Sequence, residues 1–126
     1  MAQILVIDDS ATAIQKAKTA LGRAGHQVET LEMMIHLGRA IRQNPPDLVL
    51  LDLRMPALSG VAFGRLIRRF QDRPIPIVVY SSQPEDEMVL AANEVGAFDC
   101  VRKADSDEIL AETVNRALAD AAGRGA

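Results

Sequence analysis

Short runs rich in Ile, Leu and Val constrain the fold of this chain more than any other feature. The strongest are 4–7 (ILVI), 47–51 (DLVLL) and 75–80 (IPIVVY). A strand with one face in water alternates apolar and polar residues, whereas a strand buried on both faces is apolar throughout. These runs therefore predict central strands of a sheet that is covered on both sides. Two weaker runs, 28–31 and 98–101, predict further strands, and the first of these suits an edge of the sheet.

Amphipathic stretches separate the predicted strands. Their apolar residues recur three and four positions apart, which places them on one side of a helix. The five predicted helices have their apolar positions at Ile14, Ala17 and Leu21; Met34, Leu37 and Ile41; Phe63, Leu66, Ile67 and Phe70; Met88, Ala92 and Val95; and Leu110, Val114, Ala117 and Leu118. Because each helix returns the chain to start the next strand in the same direction, the pattern predicts an α/β domain with a doubly wound, five-stranded parallel sheet.

Length and composition limit the class of protein. A chain of 126 residues with 48% hydrophobic residues fits one domain, and we assign residues 1–122 to it and 123–126 to a flexible tail. A net charge of −3 and an aromatic content of 3% argue against a nucleic-acid surface. No apolar run is long enough to cross a membrane, and Cys100 is the single cysteine. We therefore expect a cytoplasmic domain whose partners are proteins.

Polar residues follow the predicted strands at the point where each strand ends. In chain order they are Asp8 and Asp9, then Asp52, then Ser81 and Ser82, then Lys103. The carboxyl ends of parallel strands share one edge of the sheet, and ligands bind there where the winding direction switches. We therefore expect these residues to converge.

The three carboxylates at this edge indicate a cation site. Asp8, Asp9 and Asp52 would repel one another, and at least one would be driven toward its protonated form without a compensating charge. A few oxygen ligands are typical of Mg²⁺, which completes its shell with water and phosphate oxygens. A lysine and a hydroxyl beside such an ion are the parts used in phosphoryl transfer. We predict Asp52 as the nucleophile that becomes an acyl phosphate, with Lys103 and Ser81 binding phosphoryl oxygens.

Each of these residues also has a plainer explanation. Asp9 or Ser10 could cap the following helix, Asp52 could simply end a strand, and Lys103 could be a solvated loop residue. What favours a site is the joint placement of acids, hydroxyl and lysine at four successive strand ends.

Four segments resemble the receiver domains of two-component response regulators. They are ILVIDDS at 4–10, DLVLLDLRMPALSG at 47–60, PIVVYSS at 76–82 and GAFDCVRK at 96–103. The second, an Asp followed by Met-Pro and then Gly, is highly specific. The resemblance covers essentially the whole chain and implies a flavodoxin-like fold with strand order 2-1-3-4-5.

The resemblance also implies a set of ligands and partners. Asp52 would be phosphorylated from a phosphohistidine on a sensor histidine kinase or a phosphotransfer protein. Asp9, Asp52 and the backbone carbonyl of Arg54 would bind Mg²⁺ directly, and Asp8 would support the ion through water. The domain would be a switch that assists its own phosphorylation and dephosphorylation rather than a conventional enzyme. Phosphorylation would alter binding to a downstream protein target, and the domain would be a monomer or a weak homodimer.

Three further residues have roles implied by the same resemblance. Ser81 would be the switch hydroxyl that moves toward the phosphoryl group, and Ser82 would offer its backbone N–H. Lys103 would contact the phosphoryl group directly.

Two residues depart from the family pattern. Cys100 stands where the family commonly has Tyr or Phe, and Ala104 follows the lysine where proline is usual, so a cis peptide there would cost about 2.5 to 4 kcal/mol. These departures leave open a pseudo-receiver, an interaction module that signals without phosphate. A second alternative is a haloacid-dehalogenase-like magnesium phosphohydrolase. That class needs an Asp two residues after the nucleophile, and Arg54 occupies the position here.

Overall fold

The computed structural model describes residues 2–31, 36–52, 67 and 75–124. Their five strands are β1 (Gln3–Ile7), β2 (Gln27–Leu31), β3 (Leu48–Leu51), β4 (Ile77–Ser81) and β5 (Asp99–Arg102). The helices of this described part are α1 (Ala11–Arg23), α2 (Leu37–Gln43), α3 (Glu85–Val95) and α4 (Asp107–Arg124). The predicted helix with apolar positions Phe63, Leu66, Ile67 and Phe70 lies outside the described residues except for Ile67, which is helical and buried.

All strands pair in parallel, in the order β2-β1-β3-β4-β5. This order confirms the doubly wound sheet and places β2 at an edge, as the sequence predicted. Ile7 pairs with Leu51 at the ends of β1 and β3. The backbone N–H of Asp52 then donates to the carbonyl of Ile7 at 2.9 Å, and that of Lys103 donates to the carbonyl of Ser81 at 2.9 Å. The residues that follow neighbouring strands are therefore held side by side.

Apolar layers cover both faces of the sheet. Ile4 and Val6 point into the layer shared with α1 and α4, whereas Leu5 and Ile7 point into the layer shared with α2 and α3. All four side chains are buried. Burial on both faces explains why β1 lacks polar alternation. Among the described residues, none of the helices has the length and hydropathy required of a membrane-spanning segment.

Local signals set the helix ends. Ser10 caps α1, since its Oγ accepts a hydrogen bond from the backbone N–H of Ala13 at 3.3 Å. Helix α3 begins after Pro84 and ends at Gly96, whose φ of 72° is a conformation that glycine adopts readily. The first two residues of the predicted tail, 123–124, belong to α4, which continues to Arg124. The alanine-rich segment before them has a high helix propensity and carries the helix past the glycine.

Candidate functional site

An acidic cluster formed by Asp8, Asp9 and Asp52 lies at the carboxyl edge of the sheet. One carboxylate oxygen of each residue lies within 4.8 Å of the corresponding oxygens of the other two. Asp8 is 1% exposed and Asp52 is 4% exposed, whereas Asp9 is exposed to solvent. Ionised carboxylates are costly to bury unless they are paired with positive charge. The cluster therefore needs cations close to its two buried members.

The ammonium of Lys103 is one such cation. Its Nζ lies 2.9 Å from Oδ2 of Asp8 and 3.3 Å from Oδ2 of Asp52. The same Nζ lies 5.9 Å from the centroid of the Tyr80 ring, within the range of a cation–π interaction. Three carboxylates and one ammonium leave the cluster a formal charge of −2. A divalent cation would neutralise that remaining charge.

The side chains of the cluster fit Mg²⁺. Oδ2 of Asp8 is buried and, apart from its ion pair with Lys103, faces no hydrogen-bond donor of favourable geometry among the described residues. Burial raises the pKa of the Asp8 carboxyl above its ordinary value, against the opposing effects of Lys103 and of the Ser10 N–H, which donates to Oδ1 at 2.9 Å. A cation at Oδ2 would offset this desolvation, and the all-oxygen donor set suits Mg²⁺. The predicted carbonyl ligand, Arg54, lies outside the described residues.

The hydroxyl of Ser81 is buried at the last residue of β4. Its Oγ accepts a hydrogen bond from the backbone N–H of Gln83 at 3.1 Å and donates to Oε1 of Gln83 at 3.4 Å. The hydroxyl is thus engaged with the loop that follows β4. Ser82, the next residue, is exposed. The sequence did not predict that Gln83 binds the Ser81 hydroxyl. Its only signal there is a polar residue two positions after the serine.

The two residues that depart from the family pattern have ordinary environments. Cys100 is half-buried in β5 and packs against the apolar layer shared with α2 and α3. Burial, and secondly the Asp99 carboxylate, raise the pKa of its thiol. No cis peptide occurs among the described residues, so the bond before Ala104 is trans. The cost of a cis peptide therefore does not arise in this loop.

A second lysine at the site was missed by sequence reasoning. Lys16 of α1 donates to the backbone carbonyls of Lys103 at 2.6 Å and of Asp105 at 2.7 Å. It is half-buried at the border of the apolar side of the helix. Nothing in the local sequence distinguishes it from other lysines, because its partners lie 87 and 89 residues further along the chain.

Comparison with known proteins gives the same family as the motifs. Residues 4–115 match the family model of the response regulator receiver domain. The chain is 33% identical over 120 residues to Protein PilH of Pseudomonas aeruginosa, covering 94% of this chain and 99% of PilH. It is 38% identical over 104 residues to a protein-glutamate methylesterase/protein-glutamine glutaminase of Anaeromyxobacter dehalogenans, covering 80% of this chain but only 29% of that protein.

Solved structures show the same fold. A putative response regulator from Chloroflexus aurantiacus superposes with a TM-score of 0.82 at 24% identity, over 94% of this chain and 98% of that one. The signal receiver domain of a signal transduction histidine kinase from Syntrophus aciditrophicus gives a TM-score of 0.80 at 30% identity, over 95% and 92% of the two chains.

Proposed function

This chain belongs to the response regulator receiver domain family, and from that premise we propose that it is a Mg²⁺-dependent phosphoacceptor switch. Asp52 accepts a phosphoryl group from the phosphohistidine of a sensor kinase or phosphotransfer protein in the cytoplasm. The modified domain then binds a downstream protein with altered affinity. The observation that supports this most directly is the Lys103 ammonium between Asp8 and Asp52, at 2.9 and 3.3 Å.

The chemical step is an in-line displacement at phosphorus. A carboxylate oxygen of Asp52 attacks, an O–P bond forms, the P–N bond to the donor imidazole breaks, and the imidazole nitrogen takes the bonding electrons and a proton. Asp52 is held for attack by its backbone hydrogen bond to Ile7. Lys103, already beside the nucleophile, binds a phosphoryl oxygen by its point charge. Bound Mg²⁺ supplies neutralisation of negative charge on the phosphoryl oxygens.

The ligand set follows the family pattern. Asp9, Asp52 and the carbonyl of Arg54 would hold the ion, and Asp8 would support it through water. The exposed position of Asp9 and the burial of Asp8 are compatible with this division. Like other receiver domains, this one is a phosphoacceptor switch and not a catalyst in its own right, and the methylesterase relative extends well beyond the region that this chain matches.

The switch acts through the Ser81 hydroxyl. Phosphorylation converts the Asp52 carboxylate, with a charge of −1, to an acyl phosphate with a charge of about −2, and so adds about one negative charge and strong hydrogen-bond acceptors. Ser81 exchanges its hydrogen bonds with Gln83 for one to the phosphoryl group, and the backbone N–H of Ser82 donates to another oxygen. These exchanges shift an existing equilibrium between two arrangements of the loop that leads into α3.

Asp52→Asn tests the acceptor. We expect intact-mass spectrometry to detect a phosphoryl adduct on the wild-type protein after incubation with acetyl phosphate and Mg²⁺, and none on Asp52→Asn. Glu94→Gln, which removes an exposed carboxylate from α3, is the matched control and should be labelled like the wild type. A phosphoryl adduct that survives in Asp52→Asn would show that another residue is the acceptor.

A second function, protein binding that does not depend on phosphate, is favoured by Cys100, because a cysteine cannot make the rotation of the aromatic residue common in the family. NMR titration with beryllium trifluoride, a mimic of the phosphoryl group, separates the two functions. Chemical-shift changes that extend along α3 and β5 would support the switch. Changes confined to residues around the acidic cluster would support the phosphate-independent module.

A further inference from the structure

The turn between β5 and α4 carries Lys103, and its backbone is bound by a side chain of α1. The ammonium of Lys16 donates to the carbonyl oxygens of Lys103 and Asp105, at 2.6 and 2.7 Å. An ammonium has three donors and no acceptor, and hydrogen bonds from a charged donor are stronger than neutral ones. One side chain therefore holds two carbonyls of the same turn in a shared orientation.

The Lys103 end of the turn is also bound to β4, because its backbone N–H donates to the Ser81 carbonyl at 2.9 Å, whereas the bonds at Asp105 are local. The backbone N–H of Asp105 donates to the carbonyl of Arg102 at 2.9 Å, and the carboxylate of Asp105 accepts from the N–H of Arg102 at 3.0 Å. These two bonds give the turn its shape but do not join it to another element. The two bonds from Lys16 connect the turn to α1.

Helix α1 also positions Asp8, the carboxylate that forms an ion pair with Lys103. The backbone N–H of its capping residue, Ser10, donates to Oδ1 of Asp8 at 2.9 Å, while Oδ2 of Asp8 contacts the Lys103 ammonium. One helix thus fixes the carboxylate through its cap and the lysine turn through its second turn. We propose that Lys16 positions Lys103 for its contact with the phosphoryl group on Asp52, a role that rests on the proposed phosphoacceptor function.

The test compares binding of the phosphoryl mimic with binding of the metal. Beryllium trifluoride affinity in saturating Mg²⁺, and Mg²⁺ affinity alone, are measured by NMR titration for each variant. Lys16→Met should weaken beryllium trifluoride binding about tenfold, the effect of losing charge-assisted hydrogen bonds. Its Mg²⁺ affinity should be unchanged or higher, because a loosened Lys103 competes less for the carboxylates.

Two matched variants separate positioning from general effects of substitution. Lys16→Arg should recover affinity to within about twofold, because a guanidinium can donate to both carbonyls. Lys18→Met removes an exposed lysine from the same helix and should leave both affinities at wild-type values. If Lys16→Met does not fold, Lys16→Gln, which retains an N–H donor, replaces it and should show an intermediate loss.

The outcomes distinguish this role from the proposed function. Equal beryllium trifluoride affinity in Lys16→Met and Lys18→Met would overturn the positioning role alone. A parallel loss of Mg²⁺ and beryllium trifluoride affinity in a Lys16 variant would also overturn it, since that pattern marks a general structural defect. A wild-type protein that binds Mg²⁺ but not beryllium trifluoride would overturn the phosphoacceptor function, and the role of Lys16 with it.

Discussion

Replacing Lys103 by methionine tests whether this lysine is the internal counter-ion of the acidic cluster. The variant keeps an apolar stem but leaves the buried Asp8 and Asp52 without the ammonium that lies 2.9 and 3.3 Å away. At an effective dielectric constant near 20, each contact corresponds to roughly 5 to 6 kcal/mol of attraction before desolvation is subtracted. The net loss is smaller, because a carboxylate that loses its cation can take up a proton.

Protonation sets the upper limit of the loss. An aspartate in an unfolded chain has a pKa of about 3.9, so protonating one costs about 4 kcal/mol at pH 7 and about 1.5 kcal/mol at pH 5. Burial raises the pKa of Asp8 in the folded protein, so the stability that this group contributes is present at low pH and is lost as the pH rises through the raised value. Without Lys103 that pKa rises further. We expect Lys103→Met to lower the free energy of unfolding by about 3 kcal/mol at pH 7 and about 1 kcal/mol at pH 5.

Urea unfolding followed by far-ultraviolet circular dichroism, without Mg²⁺, measures both values. Lys18→Met is the control for loss of an exposed lysine and should change the free energy of unfolding by less than about 0.5 kcal/mol at either pH. Adding Mg²⁺ should stabilise Lys103→Met more than the wild type, because the ion replaces the missing positive charge. A deficit equal at pH 5 and pH 7, or one that Mg²⁺ leaves unchanged, would refute the counter-ion argument and point to lost packing.

Two further substitutions test local features by urea unfolding. Tyr80→Phe should raise the free energy of unfolding by about 1 kcal/mol, because the buried Tyr80 hydroxyl has no hydrogen-bond partner among the described residues. Burial also raises the pKa of this hydroxyl to about 12, which reflects the same loss of solvent. A loss of stability in Tyr80→Phe would mean that the hydroxyl is hydrogen-bonded in solution. Ser10→Ala should lower the free energy of unfolding by about 1 kcal/mol through loss of the helix cap. Ser10→Thr, which retains a cap oxygen, is its control, and equal values for the two variants would contradict the capping role.

The sheet was predictable because its signals are local. Central strands without polar alternation, and apolar residues at helical spacing, identified every strand and four of the five predicted helices in the described part of the chain. Strand ends shifted by one or two residues, and Ser81 lies within β4 rather than after it. Hydrogen-bond registry decides such ends, and a single strand does not contain that information.

The site was predictable to the extent that strand ends define it. The acids, Ser81 and Lys103 follow from one rule about parallel sheets, and the structure brings Asp8, Asp9, Asp52 and Lys103 together. The burial of Asp8 and the exposure of Asp9 were not predicted, since adjacent carboxylates look alike in sequence. Lys16 was missed for a different reason. Its partners are backbone carbonyls, which every residue has, so the sequence does not show which ones a lysine will bind.

Tyr80 is the sole tyrosine of a chain that contains no tryptophan. Ultraviolet emission from the unmodified protein therefore originates almost entirely from one ring, whose centroid lies 5.9 Å from the Lys103 ammonium. Any event that draws this ammonium toward or away from the ring changes the electric field at the fluorophore. The native chain thus carries an intrinsic optical reporter close to its acidic cluster, and binding events that move Lys103 can be followed in real time without a label.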